Sequence, residues 1–207
     1  MIHIPCAPSS PEWYKARAGY PTASQFHRIL TPQKLEPSAQ AWPYLCDLVA
    51  ERLLGVTLEP EDKWKSDWIE RGKEMEQGAV DWYSFHTDTD PEEGGFCLRD
   101  DRLAGCSPDR LVGDDGGLEI KCPGAGQHIA YLLDGKLPKE YRLQVQGSLW
   151  VTGRAWWDFT SYNPSLPRFL VRVTPDPEVF AALDREIPAF VGKLEQAEAA
   201  LRLEVKA

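Results

Sequence analysis

The sequence predicts an α/β fold in which a central mixed β-sheet is flanked by helices. Three observations lead there. Segments with helical apolar spacing occupy the chain before residue 86 and again after residue 124. Short runs suited to strands, about five in all, lie among them at Gly94–Arg99, Leu103–Cys106, Leu118–Lys121, Ala155–Tyr162 and Arg168–Val173. Asp114-Asp115-Gly116-Gly117, between two apolar stretches, is a hairpin turn signal.

The 207 residues suffice for one domain with a substantial core, and the whole chain, 1–207, reads as a single domain without repeat or linker. A mean hydropathy of −0.41 marks a soluble globular protein, and no apolar run reaches membrane-spanning length. Met1-Ile2-His3-Ile4-Pro5 lacks the basic start and apolar run of a signal peptide. Five scattered cysteines fit a reducing cytoplasm better than a disulfide framework or a zinc site. The net charge of −9 argues against a general nucleic-acid coat protein. It does not exclude an enzyme acting on nucleic acid, because a metal site needs clustered carboxylates. The eight tryptophans suit core, subunit interface or base stacking.

In chain order, Ser10-Pro11-Glu12 starts a short helix with a capping serine, proline in the first turn and an acid near the N-terminal dipole. Gly19-Tyr20-Pro21 breaks it, and Thr22 caps a second short helix carrying Ser24, Phe26, Ile29 and Leu30. Arg17 and Ser24 flank this break, where helix-start amides can bind an anion. They suit a phosphate clamp, and equally a surface arginine and a second capping hydroxyl. Ser38 opens a longer helix whose apolar face is Trp42, Leu45, Leu48, Val49, Leu53 and Leu54, with Pro43 marking a bend or a late start and Gly55 the end. Leu58 to Lys65 reads as a polar connection. Asp67 to Phe85 is the next helix, buried along Trp68, Ile69, Met75, Ala79, Val80, Trp82 and Tyr83. Glu76, three before Ala79 and four before Val80, falls near that face, where a carboxylate needs a partner: a metal, or a neighbouring Lys or Arg. Asp100 and Asp101 read as turn residues.

Beyond the hairpin, Cys122-Pro123-Gly124 stops the strand and a helix runs from Ala125 to Leu133. His128 on it reads as a solvated or capping side chain, and no histidine pair suggests a ligand set. Pro138 opens a further helix, with Tyr141, Val145, Leu149 and Val151 inward and Gly153 at its end. Gln144 on it suits a water or phosphate near a metal, or simply a polar face. Lys136, Lys139, Arg142 and Arg154 make the segment locally basic, a candidate DNA-backbone surface. The C-terminal helix begins at Asp176-Pro177-Glu178, should kink at Pro188, and after Ala197 should fray or reach a neighbouring subunit.

The chemistry centres on the hairpin. Period-2 alternation puts Glu119 and Lys121 on one face of the returning strand and Leu118 and Ile120 on the other. The turn brings Asp109, at the foot of the first strand, toward the polar face. Two carboxylates and one ammonium suit metal-assisted phosphodiester hydrolysis: Asp109 and Glu119 as hard oxygen ligands for Mg²⁺ or Mn²⁺, Lys121 to orient or deprotonate water or to stabilise developing charge. The same residues also suit a surface hairpin with a Glu–Lys pair.

Four ordered blocks resolve that choice by resemblance. They are Trp13-Tyr14-Lys15-Ala16-Arg17-Ala18-Gly19 leading to Thr22-Ala23-Ser24; Arg71-Gly72-Lys73 with Glu76; Cys106-Ser107-Pro108-Asp109 through Leu118-Glu119-Ile120-Lys121-Cys122-Pro123; and Gln144-Val145-Gln146 with Trp150-Val151-Thr152-Gly153. Together they resemble the YqaJ-type viral recombinases, the family of bacteriophage lambda exonuclease within the PD-(D/E)xK nucleases. The resemblance implies a restriction-endonuclease-like core. It implies Mg²⁺ (with Mn²⁺ able to substitute), two ions per site, held by Asp109, Glu119 and the Ile120 carbonyl. Glu76 would serve a second ion or a water, Lys121 the water or the charge, Gln144 would support the site, and Arg17 with Ser24 would take the DNA 5′-phosphate. Asp100 or Asp101 is the candidate for a further family acid.

The implied activity is 5′→3′ degradation of one strand of linear double-stranded DNA to mononucleotides, leaving a 3′ overhang. The implied assembly is a ring-shaped homotrimer working with a single-strand annealing protein, phage- or prophage-encoded, in the bacterial cytoplasm. Two alternatives remain: a RecB-like nuclease with an iron–sulfur cluster, against which no cysteine follows Cys122, and a non-catalytic DNA-end-binding scaffold.

Overall fold

The computed structural model describes residues 1–58 and 66–204, with side chains described for all of these except 66–74 and 203–204. The expected connection beyond Leu58, the buried roles of Trp68 and Ile69 and the side chains of Arg71-Gly72-Lys73 lie outside the described residues.

Strand β1 (Ile2–Ile4) precedes α1 (Pro11–Arg17), which starts as expected with the Ser10 hydroxyl accepting from the Trp13 N–H. The segment after Thr22 is a 3₁₀ turn, Ala23–Arg28, rather than an α-helix. Helix α2 (Ala41–Leu54) begins late, so that Pro43 falls in the first turn, where a missing N–H costs no intrahelical bond. Trp42 and Leu54, expected on its buried face, are exposed instead. Helix α3 (Ser66–Thr87) leads to β2 (Pro91–Glu93), β3 (Phe96–Leu98), β4 (Gly105–Cys106), β5 (Arg110–Val112) and β6 (Gly116–Lys121). Helix α4 (Ala125–Asp134), a 3₁₀ turn at Lys139–Tyr141 and α5 (Arg142–Thr152) follow, then β7 (Trp156–Ser161), β8 (Phe169–Val173) and α6 (Pro177–Glu204).

The expected mixed five-stranded sheet is present, in the order β2-β5-β6-β7-β8, with β6 and β7 parallel and the other pairs antiparallel. A second sheet, β1-β3-β4, takes up the 94–106 stretch that the sequence suggested for the central one. Gly116 and Gly117 belong to β6 rather than to the turn, because Trp156 and Trp157 of β7 lie where their Cβ atoms would be.

Strand β6 is central, and its two faces see different layers. Leu118 and Ile120 pack with Ala79, Val80 and Tyr83 of α3. The other face joins the larger core, where Trp157 and Phe159 meet α5 and α6. Helix α5 is buried nearly all round, which explains its apolar and small residues on every side. Helix α6 runs through Pro188 without a break to Glu204, and past Ala197 Glu198 accepts from Arg52 of α2 at 3.0 Å and from Arg202 at 2.8 Å.

One buried carboxylate is purely architectural. Asp158 of β7, 1% exposed, accepts from the Tyr83 hydroxyl at 2.7 Å and from Nε and Nη2 of Arg172, both at 2.8 Å. It ties α3, β7 and β8 together. Arg172→Ala should cost about 2–4 kcal/mol in urea unfolding, since it strips a buried carboxylate of a counter-charge that is itself half exposed to screening solvent. Tyr83→Phe should cost only about 1–2 kcal/mol. Equal costs would show that the charge pair does not dominate this junction.

Candidate active site

The β5–β6 hairpin assembles the site. Its register pairs Arg110 with Leu118, which leaves Asp109 just beyond the ladder beside the end of β6. There Asp109 Oδ2 accepts from the Ile120 N–H at 2.6 Å. In an extended strand a residue's N–H and C=O leave from one edge, so the Ile120 carbonyl shares the edge that Asp109 faces. Glu119, 1% exposed, points to the opposite layer from Leu118 and Ile120, as the alternation requires. Its Oε1 receives both the Lys121 ammonium and the Gln144 amide, each at 2.5 Å. Among the described residues nothing donates to Glu119 Oε2 or Asp109 Oδ1.

Glu119 has its pKa pushed up to about 7, first by burial and then by the neighbouring Asp109, against the pull of Lys121 and Gln144. Burial also raises Asp109, opposed by Lys121, the Ile120 N–H and Arg110. Burial works against the Lys121 charge, but Glu119 and Asp109 outweigh it and hold the ammonium protonated well above its ordinary range. Lys121 donates to the Glu119 carboxylate as a positive charge in the metal-free protein. Glu119, Asp109 and Glu76 face Lys121 and Arg110 here, which leaves negative charge unanswered, and a hard divalent cation fits that deficit and the oxygen donors. Among the described residues, no three His, Cys, Asp or Glu side chains converge as a metal cage. Any ion here would complete its shell with backbone oxygen, water or substrate.

Glu76 projects from α3 toward the same region. Arg110 Nη1 donates to its Oε1 at 3.3 Å, and its pKa is raised by burial and by Asp109. Of the two sequence readings of Glu76, the structure shows the arginine partner, and it places the carboxylate within the field of Asp109. Gln144 reaches the site directly through Glu119. Asp100 and Asp101 do not join it. Asp100 pairs with the N-terminal amine at 2.9 Å, and Asp101 holds its own turn through Arg99 and the Leu103 N–H.

Arg17 lines a cavity of about 300 Å³ between α1 and α2, its guanidinium 4.1 Å from the Trp13 ring centroid. Thr22, Gln25 and Arg28 also line it. Ser24 borders it through a 3.4 Å hydroxyl contact with Thr22 rather than lining it. Of the locally basic segment, Arg142 pairs with Asp176 and Arg154 donates to the carbonyls of Gly113 and Gly116, while Lys136 and Lys139 are exposed. His128 is fully buried, not solvated, bonded to Ser161 Oγ at 2.7 Å and the Pro167 carbonyl at 2.8 Å.

Arg110 and Tyr141 escaped sequence reasoning as members of the site, and Ser107 entered it only as part of the Ser-Pro-Asp block. Arg110 has no signal beyond its place next to Asp109. The buried Ser107 hydroxyl, two residues before Asp109, has no partner among the described residues. Tyr141, its ring centroid 5.2 Å from Lys121 Nζ, precedes Gln144 by three residues, and that helical spacing was the available clue.

A family model for the YqaJ-like viral recombinase domain matches residues 12–155. Among solved structures, the chain is similar to an alkaline exonuclease, LHK-Exo, from Laribacter hongkongensis. The identity is 33% and the TM-score 0.82, covering 95% of this chain and 98% of that one. A structure of LHK-Exo in complex with dAMP matches at TM-score 0.81 with the same identity and coverage. A phage related exonuclease from Haemophilus somnus 129PT shares the fold at TM-score 0.65 and 15% identity, covering 88% of this chain and 96% of that one. ExoD of Escherichia coli (strain K12) is 33% identical over 60 residues, 28% of this chain and 69% of its own length.

The raised pKa of Glu119 has a stability consequence. The native state holds its proton more tightly than the unfolded chain, so its contribution falls as pH rises from the ordinary carboxylate value through about 7. In EDTA, urea unfolding of the parent should lose up to about 3 kcal/mol more between pH 5 and pH 8 than Glu119→Gln does. Parallel pH profiles for the two proteins would contradict this.

Proposed function

The chain belongs to the YqaJ-like viral recombinase family, and from that premise we propose that it is a Mg²⁺-dependent 5′→3′ exonuclease. It degrades one strand of linear double-stranded DNA to mononucleotides and leaves a 3′ overhang for single-strand annealing. The observation that carries this reading is the convergence of Asp109, the buried Glu119 and Lys121 at the end of β6. The likeness to an alkaline exonuclease supports hydrolysis of DNA, and the dAMP complex of that relative is compatible with a mononucleotide product.

In this reading Asp109, Glu119 and the Ile120 carbonyl hold Mg²⁺, for which Mn²⁺ can substitute, and Glu76 serves a second ion or its water. The bound metal supplies a polarised scissile phosphate and a water of lowered pKa. Lys121, held protonated, stabilises the charge that develops on the phosphate. Gln144 fixes the Glu119 carboxylate by its hydrogen bond. Arg17, with Ser24 at the margin, takes the 5′-phosphate in the cavity between α1 and α2; the cavity's 300 Å³ leaves ample room for a phosphate group. A ring-shaped homotrimer would retain DNA by topology rather than by tight contact, and a single-strand annealing protein would receive the overhang. No helix among the described residues is long and apolar enough to cross a membrane.

Linear duplex labelled separately at each strand end tests the activity. Mg²⁺-dependent release of 5′-end nucleotides with the opposite strand intact is expected, and EDTA should stop it. DNA-end binding without release from any end would instead mean a scaffold that has kept the fold. Lys121→Ala should reduce cleavage by at least about 100-fold while keeping folding and DNA binding; near-normal turnover would remove Lys121 from the chemistry. Arg17→Ala should narrow the preference for a 5′-phosphorylated over a 5′-hydroxyl end, and an unchanged preference would sink the clamp.

A further inference from the structure

Lys121 has a second seat besides Glu119. Its Nζ lies 5.2 Å from the centroid of the Tyr141 ring, within the roughly 6 Å reach of a cation–π contact. Tyr141 ends the 3₁₀ turn that leads into α5, and three residues on, Gln144 donates to Glu119. One turn of backbone thus touches both halves of the Lys121–Glu119 pair, the ammonium through a ring and the carboxylate through an amide.

The ring is itself fixed. It stands 5.1 Å from Phe159 and 6.4 Å from Tyr131, whose hydroxyl donates to Glu140 at 2.7 Å. Phe159 is fully buried and pairs in register with Glu119 across β6 and β7. The ammonium therefore rests against an aromatic wall largely shielded from water, where a cation–π contact is worth most. The two seats also differ in kind. Glu119 is a carboxylate that a cation would claim, whereas the ring face competes for nothing else.

We propose, resting on the nuclease reading above, that Tyr141 is a positioning residue for the reaction, its ring face holding the Lys121 ammonium at the carboxylate pair. A mere packing role would depend on the size and shape of the side chain. Positioning through the ring face depends on its electron density, and the two can be separated.

The experiment replaces Tyr141 by Phe, by Leu, and by phenylalanines bearing one, two or three ring fluorines. It measures kcat and KM on linear duplex DNA with Mg²⁺. In the metal-free proteins it measures the NMR shift of the Lys121 Cε protons, which a facing ring moves upfield. Tyr141→Leu should lower kcat about tenfold with KM nearly unchanged, and Tyr141→Phe should recover most of that loss. Within the fluorinated series kcat should fall stepwise with each fluorine. The Lys121 protons should lie upfield in the parent and return toward ordinary lysine values in Tyr141→Leu. A flat fluorine series, a Phe variant as impaired as Leu, or unshifted Lys121 protons in the parent would each overturn the assignment. An inactive parent would overturn the nuclease reading along with it, whereas an active parent with a flat series would overturn this proposal alone.

Discussion

At the end of β6 the buried Glu119 carboxylate and the half-buried Asp109 carboxylate lie in the field of one ammonium, and much of the structure keeps them there. Asp109 is pinned by a backbone amide of the neighbouring strand, and Glu119 is fixed by the pleat of a strand with partners on both sides. Burial without full compensation is costly, so the surrounding layers must hold the arrangement against its own electrostatics. The nearly all-round burial of α5 and the close approach of Trp156 and Trp157 to Gly116 and Gly117 make the frame stiff enough to do so.

The acidic exterior and the site follow the same logic at different scales. A net charge of −9 would repel DNA over the whole surface, so attraction has to be local. The arginines that the sequence suggested as a binding surface are largely committed: Arg142 to Asp176, and Arg154 to the hairpin carbonyls. Arg28, which lines the cavity with Arg17, is paired with Asp47 at 2.8 Å. On the nuclease reading proposed above, local attraction would fall to a cation at the carboxylates and to the remaining basic groups, the exposed Lys136 and Lys139 and those in enclosed places, where screening by salt is weakest.

The central hairpin was legible because it obeys two strong local rules, a turn signal and a period of two. Glu76 was legible through its offset from Ala79 and Val80, and for Gln144 the family resemblance favoured the site over a plain polar face. Other features were hidden for physical reasons. Strand β2 is Pro91-Glu92-Glu93, a composition that forms a strand only at a sheet edge, where missing donors and exposed charge are tolerated. Strand β1 has three residues, too few for a period to register. Trp42 and Leu54 carried the correct spacing but sit at the two ends of α2, beyond the reach of the core. His128 looked like a surface residue because its partners, Ser161 and Pro167, lie more than thirty positions away. No local pattern encodes a partner at that distance.

Asp158 shows why Glu119 reads as functional rather than architectural. Both are buried carboxylates, in register-adjacent strands, and 1% exposed. Asp158 receives two guanidinium donors and a tyrosine hydroxyl, so both its oxygens are engaged and its charge is answered. Glu119 receives an ammonium that it shares with Asp109 and one amide, both on the same oxygen. A carboxylate kept only for stability gains nothing from an empty oxygen and a half-shared counter-charge, because a neutral or apolar side chain of similar size would cost less. The deficit makes sense only if something arrives to fill it. On the nuclease reading proposed above, a divalent cation and a phosphate oxygen arriving together would supply the missing charge and the missing ligand, and the energy withheld from the resting fold would become available to the bound state.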